Sequence, residues 1–188
     1  MTMGIANERF FGTLPALLGS PASRAAVFAG RTVPYILNGL VVSVFGFGVA
    51  WLLLDVTPAR GGLPGVGLAV LVTTVSGVAL GALIGSIGLW ARDVFFGANL
   101  VYLLMLLVCG VNVANEELPG WLGAIGRALP LTHGIEAARV LARGGTLGEA
   151  AGDIGWELLI GVAYGIAVFV VFRLLERESR RRAALDTF

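Results

Sequence analysis

The residues able to do chemistry in this chain are few and isolated. There is one histidine, His133, and one cysteine, Cys109. A histidine can act as a ligand or a pH switch. No second histidine and no cysteine partner stands beside this one, so a metal site is not expected. Glu136 and Arg139 are three residues apart, on one face of a helix, the spacing of an ion pair. No serine, cysteine or paired-carboxylate arrangement suits nucleophilic or acid–base catalysis. All thirteen basic residues are arginine. A Walker A loop needs a lysine on the nucleotide phosphates, so this chain is not expected to hold one. The sequence therefore reads as a non-enzyme without a cofactor of its own. If ATP drives it, ATP and Mg are bound by another chain.

The elements that must position these residues are apolar. Hydrophobic residues make up 57% and charged residues 13% of the 188 residues, and mean hydropathy is +0.88. A soluble domain of this size carries roughly 25% charged residues. Four stretches, Thr32–Val56, Gly65–Trp90, Val94–Val113 and Ile154–Phe172, match the roughly 20 apolar residues that a spanning helix needs. The expected fold is an all-α membrane protein with four transmembrane helices. The chain reads as a single domain, with residues 1–31 before the bundle, 32–176 in it and 177–188 as a tail. Net charge is +1, which says nothing about nucleic acid, and no nucleic-acid partner is expected. The first 31 residues hold no compact apolar core of a secretory signal.

Arginine placement orients the bundle. With both termini inside, nine arginines (9, 24, 31, 92, 173, 177, 180, 181 and 182) are cytoplasmic and four (60, 127, 139 and 143) are external. The positive-inside rule favours that arrangement in the plasma membrane. Trp121 and Trp156 then suit an outer aromatic belt and Trp90 an inner one. Asn112–Asp153, the last connection, is too apolar for a wet loop. Leu118, Trp121, Leu122, Ile125 and Leu129 crowd between or beside Pro119 and Pro130. About eleven residues cannot cross a bilayer, so a re-entrant or interfacial outer helical segment is expected. A second helix is expected over Thr132–Arg143, ended by Gly144 and Gly145.

Thr73, Gly77, Gly81 and Gly85 repeat every four residues, and Gly161 and Gly165 repeat the device in the last span. Small residues on one face let helix backbones approach closely in lipid. Packing within the bundle is the simple reading; a dimer seam or transport path is the other. The twelve acids fall near span ends or in loops, Asp55, Asp93 and Glu157 among them. No intramembrane carboxylate is expected, which speaks against ion-coupled transport and for a path taking bulky or amphipathic cargo.

Before the first span, Phe10, Leu14, Leu17 and Leu18 follow helical spacing, the pattern of a short amphipathic helix on the inner surface. Ser20-Pro21 is a good start for the next helix. The run Glu8-Arg-x-x-Gly12-Thr13-Leu14, then Leu17-Leu18-x-Ser20-Pro21-x-Ser23-Arg24, resembles the coupling-helix region of ATP-binding cassette type-2 exporter permeases. Leu118-Pro119-x-Trp121-Leu122, followed by Leu129-Pro130-Leu131-Thr132-His133-Gly134-Ile135-Glu136-Ala137-Ala138-Arg139, resembles the segment before that family's last span. The drug-exporter branch is the nearest. The resemblance runs from about residue 7 to the tail. Family members usually have six spans, two of them before the coupling helix; this chain begins at the coupling helix and keeps four. Pro15 stands where members often carry Glu.

The resemblance implies a transmembrane subunit that exports a hydrophobic or amphipathic substrate. It also implies an ABC ATP-binding subunit docked at Glu8, Phe10, Gly12, Thr13, Leu14 and Leu17, and a homodimer or a heterodimer with a related permease. It marks Pro119, Trp121, Pro130, His133, Glu136 and Arg139 as the outer segment. The alternative is a non-transporting membrane scaffold, an immunity protein or a truncated permease.

Overall fold

Leu, Val, Ala and Gly dominate the chain, and the described residues are helical wherever they are regular. The structure is a computed structural model and describes residues 24–54, 62–88, 94–113 and 117–185. The expected docking residues Glu8, Phe10, Gly12, Thr13, Leu14 and Leu17 lie outside them, as does Ser20-Pro21. Among the described residues six helices follow in order: α1 (Arg24–Leu54), α2 (Leu63–Gly88), α3 (Val94–Val108), α4 (Gly120–Ala128), α5 (Thr132–Ala142) and α6 (Leu147–Leu185).

Three of them are long and apolar enough to cross a membrane, over Thr32–Ala50, Leu63–Ile87 and Leu147–Val171. The predicted third span is different. Val94–Val113 was expected to be one continuous helix, but α3 ends at Val108 after 15 residues. Gly110 takes φ 76°, a left-handed conformation that breaks the helix five residues early. At 1.5 Å per residue α3 reaches about 22 Å, short of the roughly 30 Å hydrocarbon core.

The last helix begins earlier than hydropathy suggests, at Leu147 instead of Ile154. Thr146 and Glu149 explain the start. Glu149 Oε2 accepts from the Thr146 amide at 3.0 Å, and the Glu149 amide donates to Thr146 Oγ1 at 3.4 Å. This reciprocal pair satisfies two donors that a helix start leaves open. The end of α5 is as expected: Gly144 follows Arg143 with φ 91°, and the Gly145 amide bonds back to the Val140 carbonyl at 2.9 Å.

Helix α2 is the hub. It packs against α6, α5, α1 and α3, while α4 bridges α3 and α5. The buried cluster is small, three alanines and two larger side chains: Val66 and Ala69 from α2, Ala137 and Leu141 from α5, Ala150 from α6. Large apolar side chains instead point outward, Leu52, Phe45, Phe96, Trp121 and Ile166 among them. In water that surface would be an aggregation hazard; in lipid it is the solvated face.

Candidate functional site

The site is the place where α2, α5 and α6 meet, together with a cleft beside it. Its architecture comes from side chains that are absent. A Cβ on Gly134 would fall 1.8 Å from Thr73 Oγ1, and one on Gly161 would fall 2.9 Å from the Ser76 Cβ. On the other flank a Cβ on Gly39 would meet the Thr74 methyl at 2.6 Å. Each glycine therefore lets a helix sit directly on an α2 hydroxyl residue. Thr73 and Gly161, two of the residues singled out for helix packing, lie in these contacts. Gly77 lies beside Leu131, Gly81 lines the cleft and Gly85 is buried. Gly165 differs, because nothing lies within 4 Å of where its Cβ would be.

Glu157 is the residue that sequence reasoning misplaced. It was expected near a span end, with no carboxylate inside the bundle. It sits within the apolar stretch Leu147–Val171 and is fully buried. Ser76 Oγ pairs with Glu157 Oε1 and also faces the Thr73 carbonyl of its own helix at 3.0 Å. The Leu131 amide donates to the same oxygen at 2.9 Å, and the Gly134 amide donates to Oε2 at 3.1 Å. Those two amides belong to the open start of α5, whose partial positive charge favours an anion. A carboxylate from α6 thus caps α5 and takes a hydroxyl from α2. Three helices share one group, and its lone pairs are taken up by structure.

The elbow before α5 is built for this contact. Leu131 takes φ 86°, a conformation that a leucine adopts only when its surroundings impose it. Pro130 before it is buried, and its carbonyl accepts from Cys109 Sγ at 3.5 Å. Thr132 Oγ1 donates to the Gly126 carbonyl at 2.6 Å, closing α4 against α5. Arg139 Nη2 donates to the Gly110 carbonyl at 2.7 Å, so the broken end of α3 is tied to α5. Tyr164 on α6 reaches the Ala128 carbonyl at 3.3 Å. Pro119 precedes the first turn of α4; Gly123 and Gly126 face inward while Trp121 and Ile125 face out. His133 and Glu136 lie on α5 close to Asp153 of α6.

Beside the junction a cleft of about 410 Å³ opens between α1, α2 and α5. Tyr35, Asn38, Ser43, Thr73 and Thr74 line it with Gly77, Leu131 and Ile135, and no charged side chain does. Ser43, Thr73 and Thr74 spend their hydroxyl protons on carbonyls of their own helices, at 2.9, 2.7 and 2.7 Å. What they offer the cleft is methyl surface and weak acceptors. Such a lining suits a large, mildly polar molecule and does not suit a bare ion.

Residues 1–142 match the description of the ABC-2 type transporter family. The chain belongs to that family. It is a multi-pass membrane protein of a transport-permease class. It is 25% identical over 177 residues to a probable multidrug ABC transporter permease, YbhR, of Escherichia coli strain K12, covering 92% of this chain and 47% of that one. It is 32% identical over 164 residues to the daunorubicin resistance ABC transporter permease protein DrrB1 of Streptomyces coeruleorubidus, covering 85% and 53%. The probable doxorubicin resistance permease DrrC of Mycobacterium tuberculosis (strain CDC 1551 / Oshkosh) is 24% identical over 176 residues, covering 92% and 63%. This ABC-2 chain thus spans about half to under two thirds of the length of these relatives. No solved structure matches it.

Proposed function

We propose that this chain is a transmembrane subunit of an ATP-driven exporter that moves a hydrophobic or amphipathic molecule out of the cell. Its family membership over residues 1–142 carries the reading. The uncharged cleft between α1, α2 and α5 supports the substrate class, and relatives named for multidrug, daunorubicin and doxorubicin resistance point the same way. ATP and Mg are held by a separate ABC ATPase that docks on Glu8–Leu17. The permease works as a pair, with a second copy or a related chain.

Four crossings with both termini cytoplasmic complete the reading, α3 being short but apolar. The α4–α5 hairpin then lies on the outer side, with Trp121 and Ile125 toward lipid. Reporter fusions after Gly62 and Gly145 read as external and one after Phe188 as internal; an internal signal at Gly145 breaks the topology. For the function, Glu8→Arg combined with Gly12→Trp abolishes both ATPase co-purification and cargo efflux while membrane insertion persists. Unchanged efflux in that variant would reduce the segment to a membrane anchor.

A further inference from the structure

We propose that His133, Glu136 and Asp153 form a binding site for a divalent metal ion of the Zn²⁺ class, clasping α5 to α6. One ligand atom from each of the three lies within 4.8 Å of the others. His133 and Glu136 are one helical turn apart on α5, and Asp153 comes from the facing turn of α6. A tetrahedral ion with bonds of about 2.1 Å holds its ligands about 3.4 Å apart. His133 Nδ1 and Asp153 Oδ1 already stand 3.3 Å apart, so a modest carboxylate movement closes the set.

The orientation of the imidazole is the second observation. Its Nε2 lies 3.3 Å from the Arg127 carbonyl oxygen. With Nε2 directed at that carbonyl, Nδ1 and Asp153 Oδ1 face each other at 3.3 Å as the two atoms that can share a cation. A metal-bound histidine shows this same pattern, one nitrogen on the ion and the other donating to a backbone carbonyl. Trp156 stacks on the ring with centroids 6.3 Å apart and planes at 25°, and the His133 side chain is only 12% exposed. The ring is thus fixed in direction and shielded on one face.

One imidazole and two carboxylates select the ion. Imidazole suits Zn²⁺, Co²⁺ and Ni²⁺, whereas Mg²⁺ and Ca²⁺ prefer sites made of oxygen alone. The sequence argument against a metal counted only histidine and cysteine; folding brings up two carboxylates from either side. This site is independent of the exporter reading.

The test uses the full chain, purified in detergent without an oligohistidine tag. Zn²⁺ is titrated calorimetrically into wild type, His133→Gln and Asp153→Asn, and Co²⁺ absorption is recorded for each. Wild type binds a single Zn²⁺ per chain in the presence of excess Mg²⁺. Each substitution weakens binding at least about ten-fold, in line with what even outer-sphere changes do at such sites. Bound Co²⁺ shows the intense visible bands of a four- or five-coordinate ion, and the variants lose them. Absence of saturable Zn²⁺ binding by wild type overturns the proposal. Binding unchanged in both variants overturns it too. Should either variant fail to fold, the wild-type Co²⁺ spectrum decides alone: weak bands of a six-coordinate ion refute the site.

Discussion

Helices α1 and α6 both lie against α2, yet they are held in different ways. Helix α6 sits on α2 through Gly161 over Ser76 and through the buried carboxylate of Glu157, and α5 wedges into the same junction with Gly134 over Thr73. Helix α1 touches α2 at Gly39 over Thr74, and its Val33, Leu37, Val41, Val44, Phe45 and Leu52 are exposed. Gly46 and Gly48 of α1 have nothing within 4 Å of where a Cβ would stand. One half of the molecule is locked by close backbone approach and a shared carboxyl group. Among the described residues the other has one close glycine contact, Gly39 over Thr74, beside a cleft. Close backbone approach and the shared carboxyl group resist separation of α2, α5 and α6, whereas separation of α1 from α2 is opposed by less.

The largest expected effect strikes the locked half. Gly134→Val puts a branched carbon where the Thr73 side chain already is, and Thr73 cannot swing clear because its hydroxyl is tied to the Ala69 carbonyl at 2.7 Å. Overpacking of a core costs about 1–3 kcal/mol and sometimes more; a clash this deep belongs at or above the upper end. Thermal unfolding in detergent should show it. Gly134→Ala with Thr73→Gly should recover much of the loss, because the double change trades one Cβ for another. Failure of that rescue would mean that Gly134 is needed for its backbone and not for its size.

Next comes the shared carboxyl group of Glu157. Glu157→Ala leaves the Leu131 and Gly134 amides without their acceptor in a buried place, at about 1–3 kcal/mol for each unpaired group. Glu157→Gln retains one acceptor oxygen, so its loss should be clearly smaller. The readout is again unfolding, with proteolysis in the 129–135 elbow as a local probe. Equal losses for both variants would say that charge at the α5 start matters more than the count of hydrogen bonds.

These two residues also mark how far the sequence could be read. The length and apolarity of α1, α2 and α6 were legible, because a membrane-crossing helix declares itself by composition. Thr73 and Gly161 were legible as contact points from their spacing, but Gly134 as the partner of Thr73 was not. A helix face shows that it wants a close neighbour without saying which neighbour. Glu157 was missed although the signal was present. It stands four residues before Gly161, on the face that was expected to pack inward, so burying Gly161 carries Glu157 in as well. Hydropathy averages over all faces and cannot register that. The capping pair Thr146 and Glu149 was equally readable, as a Thr-x-x-Glu pattern. The end of α3 was not, since the left-handed turn at Gly110 depends on Cys109 and Arg139 docking that end on the elbow.

A milder substitution probes the other contact of the locked half. Gly161→Ala brings a methyl within 2.9 Å of the Ser76 Cβ and 3.2 Å of its Cα. Backbone and Cβ atoms yield little, so α6 must shift away from α2 by a few tenths of an ångström. That movement also stretches the Ser76–Glu157 bond. A loss of about 1–2 kcal/mol is expected, within the range for added methyl groups in a packed core. Ser76→Gly should restore the room but not the hydrogen bond, so the double variant stays below wild type. Full recovery would show that the Ser76 hydroxyl contributes nothing to holding the carboxylate.

The smallest effect is expected on α1. Gly46→Ala and Gly48→Ala add methyl groups where the chain has open space, and alanine is the better helix former by about 1 kcal/mol in water. In a detergent-solubilised single copy each change should leave stability unchanged or raise it by up to about that amount. The same pair made as Gly46→Leu and Gly48→Leu should be equally mild for the isolated fold, because nothing among the described residues lies within 4 Å of either Cβ position. If the bare face of α1 seats a second permease, the leucine variants lower cross-linking between copies while the melting temperature of the single copy holds. A fall in single-copy stability with the alanine changes would instead show that α1 is covered by this chain itself, and the contrast between a locked and a lightly held half would fail.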